Sequence, residues 1–369
     1  MRVAIDLTAL ADNFSGIERY AAELSCALLD IDDENDYILV FKEGVHPALS
    51  SMVDKDNVCI KVLPRGKMGK LFFSQLTLPF ALMSLMADVA VFPAFPAPLL
   101  YVRKAISTIH DLCWLDAPET MLPKSRIYWK VLDSVNVLRN VKVLTVSQFS
   151  KSRIVAVYKV PEDKVVVTNC GVDSNLFNRK RATSVSFSLL KEKYSLPNEY
   201  ILTLSTIEPR KNIPLLIGAW AKACEKFGYD SDLVLAGRKG WKQESLLECV
   251  PSALLNRIHF TGFVDNDDLP ALYAHSKLFV FPSVYEGFGL PPVEAAYSGA
   301  HVLCSDIPCH REICGNGVDY FKSNDCDDLL NHLLMPSDFR KQHASIKAYS
   351  WKCSAIKLKS IFDNDISKS

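Results

Sequence analysis

Short apolar, β-branched runs alternate with helix-length segments along almost the whole chain. A first series predicts strands at 3–5, 37–41, 58–63, 89–92, 105–109, 143–146 and 165–168. A second series predicts strands at 200–204, 233–236, 258–260, 278–281 and 302–304. Segments of helical period lie between most of them. That alternation is the signature of parallel sheets with helices on both faces. Twelve strands are too many for one ordinary open sheet, so the α/β pattern predicts two doubly wound domains. The least apolar stretch near the middle, 173–188, carries Asn178, Arg179, Lys180 and Arg181 and predicts a linker. The expected domains are then 1–175 and 185–345, with 346–369 as a C-terminal helical segment. No internal repeat is visible.

The most apolar region is 71–100. Gln75, Pro79, Asp88, Pro93, Pro96 and Pro98 interrupt it, so no run of about 20 apolar residues survives to span a membrane. A buried helix over 71–87, a strand and a Pro-rich loop fit the pattern. Arg65, Lys67 and Lys70 precede Leu71, Phe72 and Phe73. That segment reads either as a basic contact with an anionic membrane surface or as a solvated loop entering a core helix.

Length and composition sharpen this picture. The chain has 369 residues, 49% apolar and 23% charged, enough for two cores at about 150 residues each. Lys plus Arg is 42 and Asp plus Glu is 42, giving net charge zero. Wholesale nucleic-acid binding, which needs many uncompensated phosphate contacts, is not expected. The start, Met-Arg-Val-Ala-Ile-Asp, lacks an apolar signal core because Asp6 breaks it. Eleven cysteines show no framework spacing, so reduced thiols in a cytoplasmic setting are expected. His301, Cys304, Cys309, His310 and Cys314 crowd one stretch, but without a paired C-x-x-C the expectation is no metal.

Ligands of open parallel sheets sit beyond the carboxyl ends of strands, so the loops there hold the candidate chemistry. After the first strand, Ser15-Gly16 opens a helix, where Gly16 admits a ligand to the helix N–H groups or simply belongs to a cap. After the strand at 105–109, His110-Asp111 offers either a ligand-facing imidazole or a turn histidine capped by Asp111. After the strand at 200–204 comes Glu208-Pro209-Arg210-Lys211-Asn212, with Asn212 as an expected N-cap and Pro214 in the first turn. Arg210 and Lys211 there read as a diphosphate clamp or as exposed charges partnered by Glu208. After the strand at 278–281 comes the longest string, Pro282 to Ala295. In it Glu286, Gly287, Phe288, Gly289 and Leu290 precede Pro291-Pro292-Val293-Glu294. Gly287 and Gly289 free the backbone to approach phosphates. Glu294, expected in the first helical turn, either accepts both hydroxyls of a ribose or complements the helix dipole.

The framed sequence Glu286-Gly-Phe-Gly-Leu-Pro-Pro-Val-Glu294 resembles the E-x7-E signature of family-4 retaining glycosyltransferases of the GT-B fold. The likeness runs along most of the chain: Gly16, His110-Asp111, Val146-Ser147-Gln148-Phe149-Ser150, Glu208 to Asn212, Thr261-Gly262-Phe263-Val264 and Tyr349-Ser350-Trp351 all match family segments. Within the family the chain resembles bacterial mannosyltransferases that build surface polysaccharide. The resemblance implies two Rossmann-like domains facing a central cleft, with the C-terminal helix crossing back to the N-terminal domain. It implies a nucleotide-sugar donor on the second domain and, on the first, a glycan or polyprenyl-diphosphate-linked acceptor. By the same likeness Glu294 holds the ribose, Glu286 the donor sugar, and Arg210 and Lys211 the leaving diphosphate. Gly16 and the loop Gly287, Phe288, Gly289 and Leu290 flank the phosphates, and His110 meets a sugar hydroxyl near the reacting carbon. No cofactor or metal is implied. The implied reaction transfers a hexose, mannose from GDP-mannose, with retention, at the cytoplasmic face of the inner membrane. A nucleotide-sugar epimerase on the same architecture and a non-catalytic sugar-nucleotide-binding subunit are the alternatives. Two positions depart from the family's pattern. Leu204-Ser205 stand where many relatives carry Gly-Arg, and Cys170 precedes Gly171-Val172-Asp173 where many read Asn.

Overall fold

The computed structural model describes residues 1–10, 16–64, 69–238, 246–248, 250–335 and 346–367. The chain divides into two compact units, one of 1–115, 122–171 and 349–369, the other of 116–121 and 172–348.

The first unit is built on a seven-stranded, wholly parallel sheet in the order β3-β2-β1-β4-β5-β6-β7. Its strands are β1 (Arg2–Asp6), β2 (Asp36–Lys42), β3 (Val58–Leu63), β4 (Val89–Phe92), β5 (Ala105–Thr108), β6 (Lys142–Thr145) and β7 (Val165–Val167). β4 and β5 are buried at every position, which is why their sequences are continuously apolar or small, not alternating. Helix Gly16–Ile31 buries Tyr20, Leu24 and Leu28 at helical spacing. The C-terminal helix Trp351–Ile361 joins this same unit and packs along Gly16–Ile31. Trp351 stacks edge-on to Tyr20 at 5.8 Å, Ser354 Oγ donates to the Asn169 carbonyl at 2.7 Å, and Lys357 Nζ donates to that of Val167 at 2.7 Å. A Cβ on Gly171 would lie 2.4 Å from the Trp351 backbone nitrogen, so glycine there is what lets the returning chain come so close.

The second unit carries a six-stranded parallel sheet, β10-β9-β8-β11-β12-β13. Its strands are β8 (Tyr200–Leu204), β9 (Asp232–Ala236), β10 (Ile258–Gly262), β11 (Leu278–Phe281), β12 (Val302–Ser305) and β13 (Asp319–Phe321). Counted from β8, this is the order 3-2-1-4-5-6, which reverses direction between β8 and β11. These two strands pair only at Leu278↔Ile201 and Phe279↔Leu202, short of their carboxyl ends. The core around Trp220, Leu216, Leu233 and Val280 holds the sheet against helix Ile213–Phe227.

Three expectations need correction. β13 was not predicted, because Asp319 and Tyr320 are half-buried at a sheet edge and leave no apolar run. The stretch 173–188 is not all linker: it holds a short helix, Arg179–Ser184, which Asn178 caps through its bond from Arg181 N and in which Ala182 is buried. The 71–87 segment forms helical turns as expected over Lys70–Ser84, with a π turn at Phe73–Thr77, but Leu71, Phe72 and Phe80 face outward. Only Phe73, Leu78, Pro79 and Leu82 are buried, because the neighbouring core covers one side alone. Arg65 and Lys67 lie outside the described residues, as does Ser15. Among those described, no helix is long and apolar enough to cross a membrane.

Candidate active site at the carboxyl edge of the second sheet

The strand reversal puts two loops side by side. After β8, Pro209–Lys211 make one 3-10 turn leading into helix Ile213–Phe227. After β11, Pro282–Gly289 lead into helix Leu290–Ser298, whose early prolines cost no hydrogen bond because first-turn N–H groups have no partner anyway. Val284 N donates to the Arg210 carbonyl at 3.0 Å and stitches the loops together.

Glu286 sits at the centre, 5% exposed. It accepts from Arg210 Nη1 at 2.7 Å on one oxygen and from Lys211 Nζ at 2.6 Å on the other. Burial pushes its pKa up, but the two cations outweigh that and hold it down at about 2. Arg210 also donates to the Tyr285 carbonyl at 3.1 Å and to Glu208 at 3.0 Å. Both proposed clamp cations are thus already engaged by carboxylates.

Gly289 takes φ +84°, a left-handed conformation that other residues adopt only with strain, and this turns the chain into its helix. Glu294 is buried and accepts from Tyr273 Oη at 3.2 Å. It lies just past the first helical turn, because the helix begins at Leu290. Phe288 is buried, and its carbonyl accepts from Cys309 Sγ. Asn212 does precede its helix, but in a left-handed conformation (φ 52°) with no side-chain cap. Its amide donates instead to Asn324 at 2.9 Å.

In the first unit, Gly16 opens its helix as expected. His110 follows β5; its Nε2 donates to the Ala94 carbonyl at 3.1 Å, and its ring meets Tyr20 edge-on at 5.0 Å. Burial lowers its pKa to about 4, so the imidazole is neutral near pH 7.

The sequence reading missed a group of buried polar atoms at the carboxyl edge of the second sheet. Thr203 Oγ1, Ser205 Oγ, Arg238 Nη2 and His310 Nε2 have no hydrogen-bond partner among the described residues. They follow or end β8, β9 and β12, the strands around the reversal. His310 was noticed only as part of a metal-like cluster. Its Nδ1 instead donates to the Ser305 carbonyl at 2.9 Å, and burial lowers its pKa, so Nε2 is left as an unprotonated acceptor. A Cβ on Gly289 would lie 3.6 Å from that nitrogen. His301 is bonded to Asp319 at 2.7 Å. Among the described residues no three His, Cys, Asp or Glu side chains gather to hold a metal. Orphaned buried polar atoms are rare in folded proteins, and those at the end of a strand stand where a ligand's polar groups could answer them. The only signal for them in the sequence was their place just after strand-like runs.

Comparisons with known proteins find likenesses along most of the chain. The model described as Glycosyltransferase Family 4 matches residues 14–176, and that described as Glycosyl transferases group 1 matches 189–347. Escherichia coli O-antigen chain mannosyltransferase B is 34% identical over 63% of this chain and 61% of its own length. Salmonella typhimurium O-antigen chain mannosyltransferase RfbU is 30% identical over 62% of this chain and 59% of its own. The serotype-specific mannosyltransferase WbdA of Escherichia coli is 38% identical over 51% of this chain but only 23% of its own. The aligned region thus spans less than two thirds of each of these relatives. Among solved structures, Anabaena HepE with UDP and glucose superposes with a TM-score of 0.72 at 16% identity, covering 98% of this chain and 99% of that one. WaaG, a glycosyltransferase of lipopolysaccharide biosynthesis, gives 0.66 at 16% identity over 98% and 95%. At such identity these two share the fold.

Proposed function

Since the chain belongs to the glycosyltransferases, family 4 in its amino-terminal half and group 1 in its carboxyl-terminal half, we propose that it is a retaining hexosyltransferase of surface-polysaccharide synthesis. It moves mannose from GDP-mannose to a glycan or lipid-linked oligosaccharide. The observation that carries this reading is Glu286 held by Arg210 and Lys211 at the strand reversal. Two relatives named O-antigen chain mannosyltransferases support the choice of sugar and product class over the epimerase alternative.

In this reading the second unit holds the donor. Glu286, ionised at neutral pH, accepts from hydroxyls of the donor sugar. It has no proton to give, and its two cations lower its nucleophilicity, which disfavours a covalent glycosyl-enzyme. Front-face attack fits better: the C1–O bond to the diphosphate breaks, the acceptor hydroxyl forms the new bond on the same face, and its proton passes to the leaving phosphate oxygen. Lys211 and Arg210 stabilise the charge that develops there, work that a divalent metal does elsewhere. Glu294 takes the ribose hydroxyls. Neutral His110 orients a hydroxyl without adding charge.

Transfer of radiolabelled mannose from GDP-mannose to a polyprenyl-linked glycan tests this. Lys211→Ala and Glu286→Gln are each expected to lose at least 100-fold in kcat, and EDTA to change nothing. Full activity in the Lys211 variant would remove the electrostatic role, and activity lost to EDTA would remove metal independence.

The acceptor's lipid suggests where the first unit works. Leu71, Phe72 and Phe80 are exposed, and Gln75 Nε2 bonds to Tyr128 Oη at 3.1 Å, tying that helix to Pro123–Arg139. There Ile127 and Val131 are exposed beside Lys124, Arg126 and Lys130. Apolar side chains among cations suit an anionic bilayer surface. Sedimentation with phosphatidylglycerol vesicles should fall several-fold in a Phe72→Asp, Phe80→Asp variant; equal sedimentation would exclude this face.

A further inference from the structure

We propose that Arg238 is the cation that grips the diphosphate of the sugar nucleotide, an inference that rests on reading the second unit as the donor site. The charges around Glu286 already cancel: Arg210 and Lys211 are matched by Glu208 and Glu286. A ligand with two or more negative charges needs a cation that is not so committed. Arg238 is one. Its side chain makes no ion pair or hydrogen bond to any described residue, yet its Nη2 is buried.

The backbone fixes where it stands. Arg238 follows β9, the strand beside β8, and its carbonyl accepts from Ile207 N at 3.1 Å. Gly237 takes φ +122°, and its N–H donates to the Gly262 carbonyl at 2.8 Å. A Cβ at Gly237 would lie 2.1 Å from the Ser205 carbonyl oxygen, so only glycine lets the backbone at 237 come so close to the end of β8. Gly237 is thereby held against Ser205, whose own hydroxyl is also buried without a partner among the described residues. A hydroxyl and a guanidinium, both without a partner among the described residues and both at the carboxyl edge, are the donors that a phosphate oxygen accepts from. A guanidinium offers a planar fork that fits two phosphate oxygens at once, which a lysine cannot do. Arg210 and Lys211, tied to Glu286, still face the oxygen that leaves, and Arg238 adds the positive charge that their carboxylate partners cancel.

Calorimetric titration of the full chain tests this. The wild type is titrated with GDP, UDP and ADP, then with the nucleoside of whichever binds. The same titrations are made on Arg238→Met and Arg238→Lys. The expected result is a tenfold or greater loss of diphosphate affinity in Arg238→Met, partial recovery in Arg238→Lys, and unchanged nucleoside affinity. The ligand-free Met variant is expected to keep the wild-type melting temperature, whereas a structural role would lower it. Unchanged diphosphate affinity overturns the assignment, as do equal losses for nucleoside and diphosphate. Those results leave the donor site standing. If the wild type binds none of the three diphosphates, the donor-site reading falls and takes Arg238 with it.

Discussion

Glu286 shows how one side chain is made to carry a negative charge inside a protein. Its carboxylate is stable there only because both oxygens meet a cation. Removing one member of a buried pair leaves the other uncompensated, at a cost of about 3–5 kcal/mol. The depressed pKa also sets an acid limb. A carboxyl at about 2 in the fold and at the ordinary 4.5 when unfolded contributes its stability fully above pH 4.5 and loses it as pH falls toward 2. That contribution is about 3 kcal/mol. Glu286→Gln should therefore be less stable than wild type at pH 7, with the gap closing below pH 4.5. Denaturant melts at both pH values measure this, and a gap independent of pH would remove the ion pair as its cause. The residue types of the site were legible in the sequence, from Arg210-Lys211 and from the two glutamates eight positions apart. That each cation would be engaged by Glu286 was not, because 75 and 76 residues separate the partners.

At the scale of elements, helix Pro123–Arg139 carries a second buried carboxyl. Asp133 is 3% exposed and accepts from Trp114 Nε1 at 2.8 Å. Burial lifts its pKa to about 8; the Trp114 bond pulls the other way, and Asp111 adds to the rise. The folded form thus keeps a proton that the unfolded chain releases near pH 4, so stability declines as pH rises from about 4 to 8. Asp133→Asn is expected to flatten that decline and raise the melting temperature at pH 8 by several degrees. An unaltered slope would show that Asp133 is ionised in the fold. Element positions followed the sequence closely in β3, β4, β8 and β11, which span the predicted residues. They failed where tertiary contact replaces local pattern. β13 is held by pairing to β12, and Arg179–Ser184 is held by its cap and by buried Ala182.

At the scale of the molecule, the chain builds its first unit, then its second, and returns to finish the first with Trp351–Ile361. Gly171 is where that return is tightest. Gly171→Ala would set a methyl against the Trp351 backbone, which cannot swing aside as a side chain would. Overpacking of this kind costs about 1–3 kcal/mol. Hydrogen exchange should rise across 351–361 and across 16–31, and stay unchanged in β8 and β9; protection retained at 351–361 would show that the contact is slack.

The amino-acid sequence by itself determined what depends on near neighbours. Strand and helix periods, proline at helix starts, glycine at Gly289 and the kinds of charge after each strand all follow from local sterics and hydrogen bonding. The tertiary structure alone decided which charges meet. Strand order in a parallel sheet is settled by how whole faces bury against helices, and that order sets the loop after β8 beside the loop after β11. The same ordering cancels Arg210 and Lys211 against their carboxylates and leaves Arg238 without one among the described residues, a balance that only long-range packing can strike.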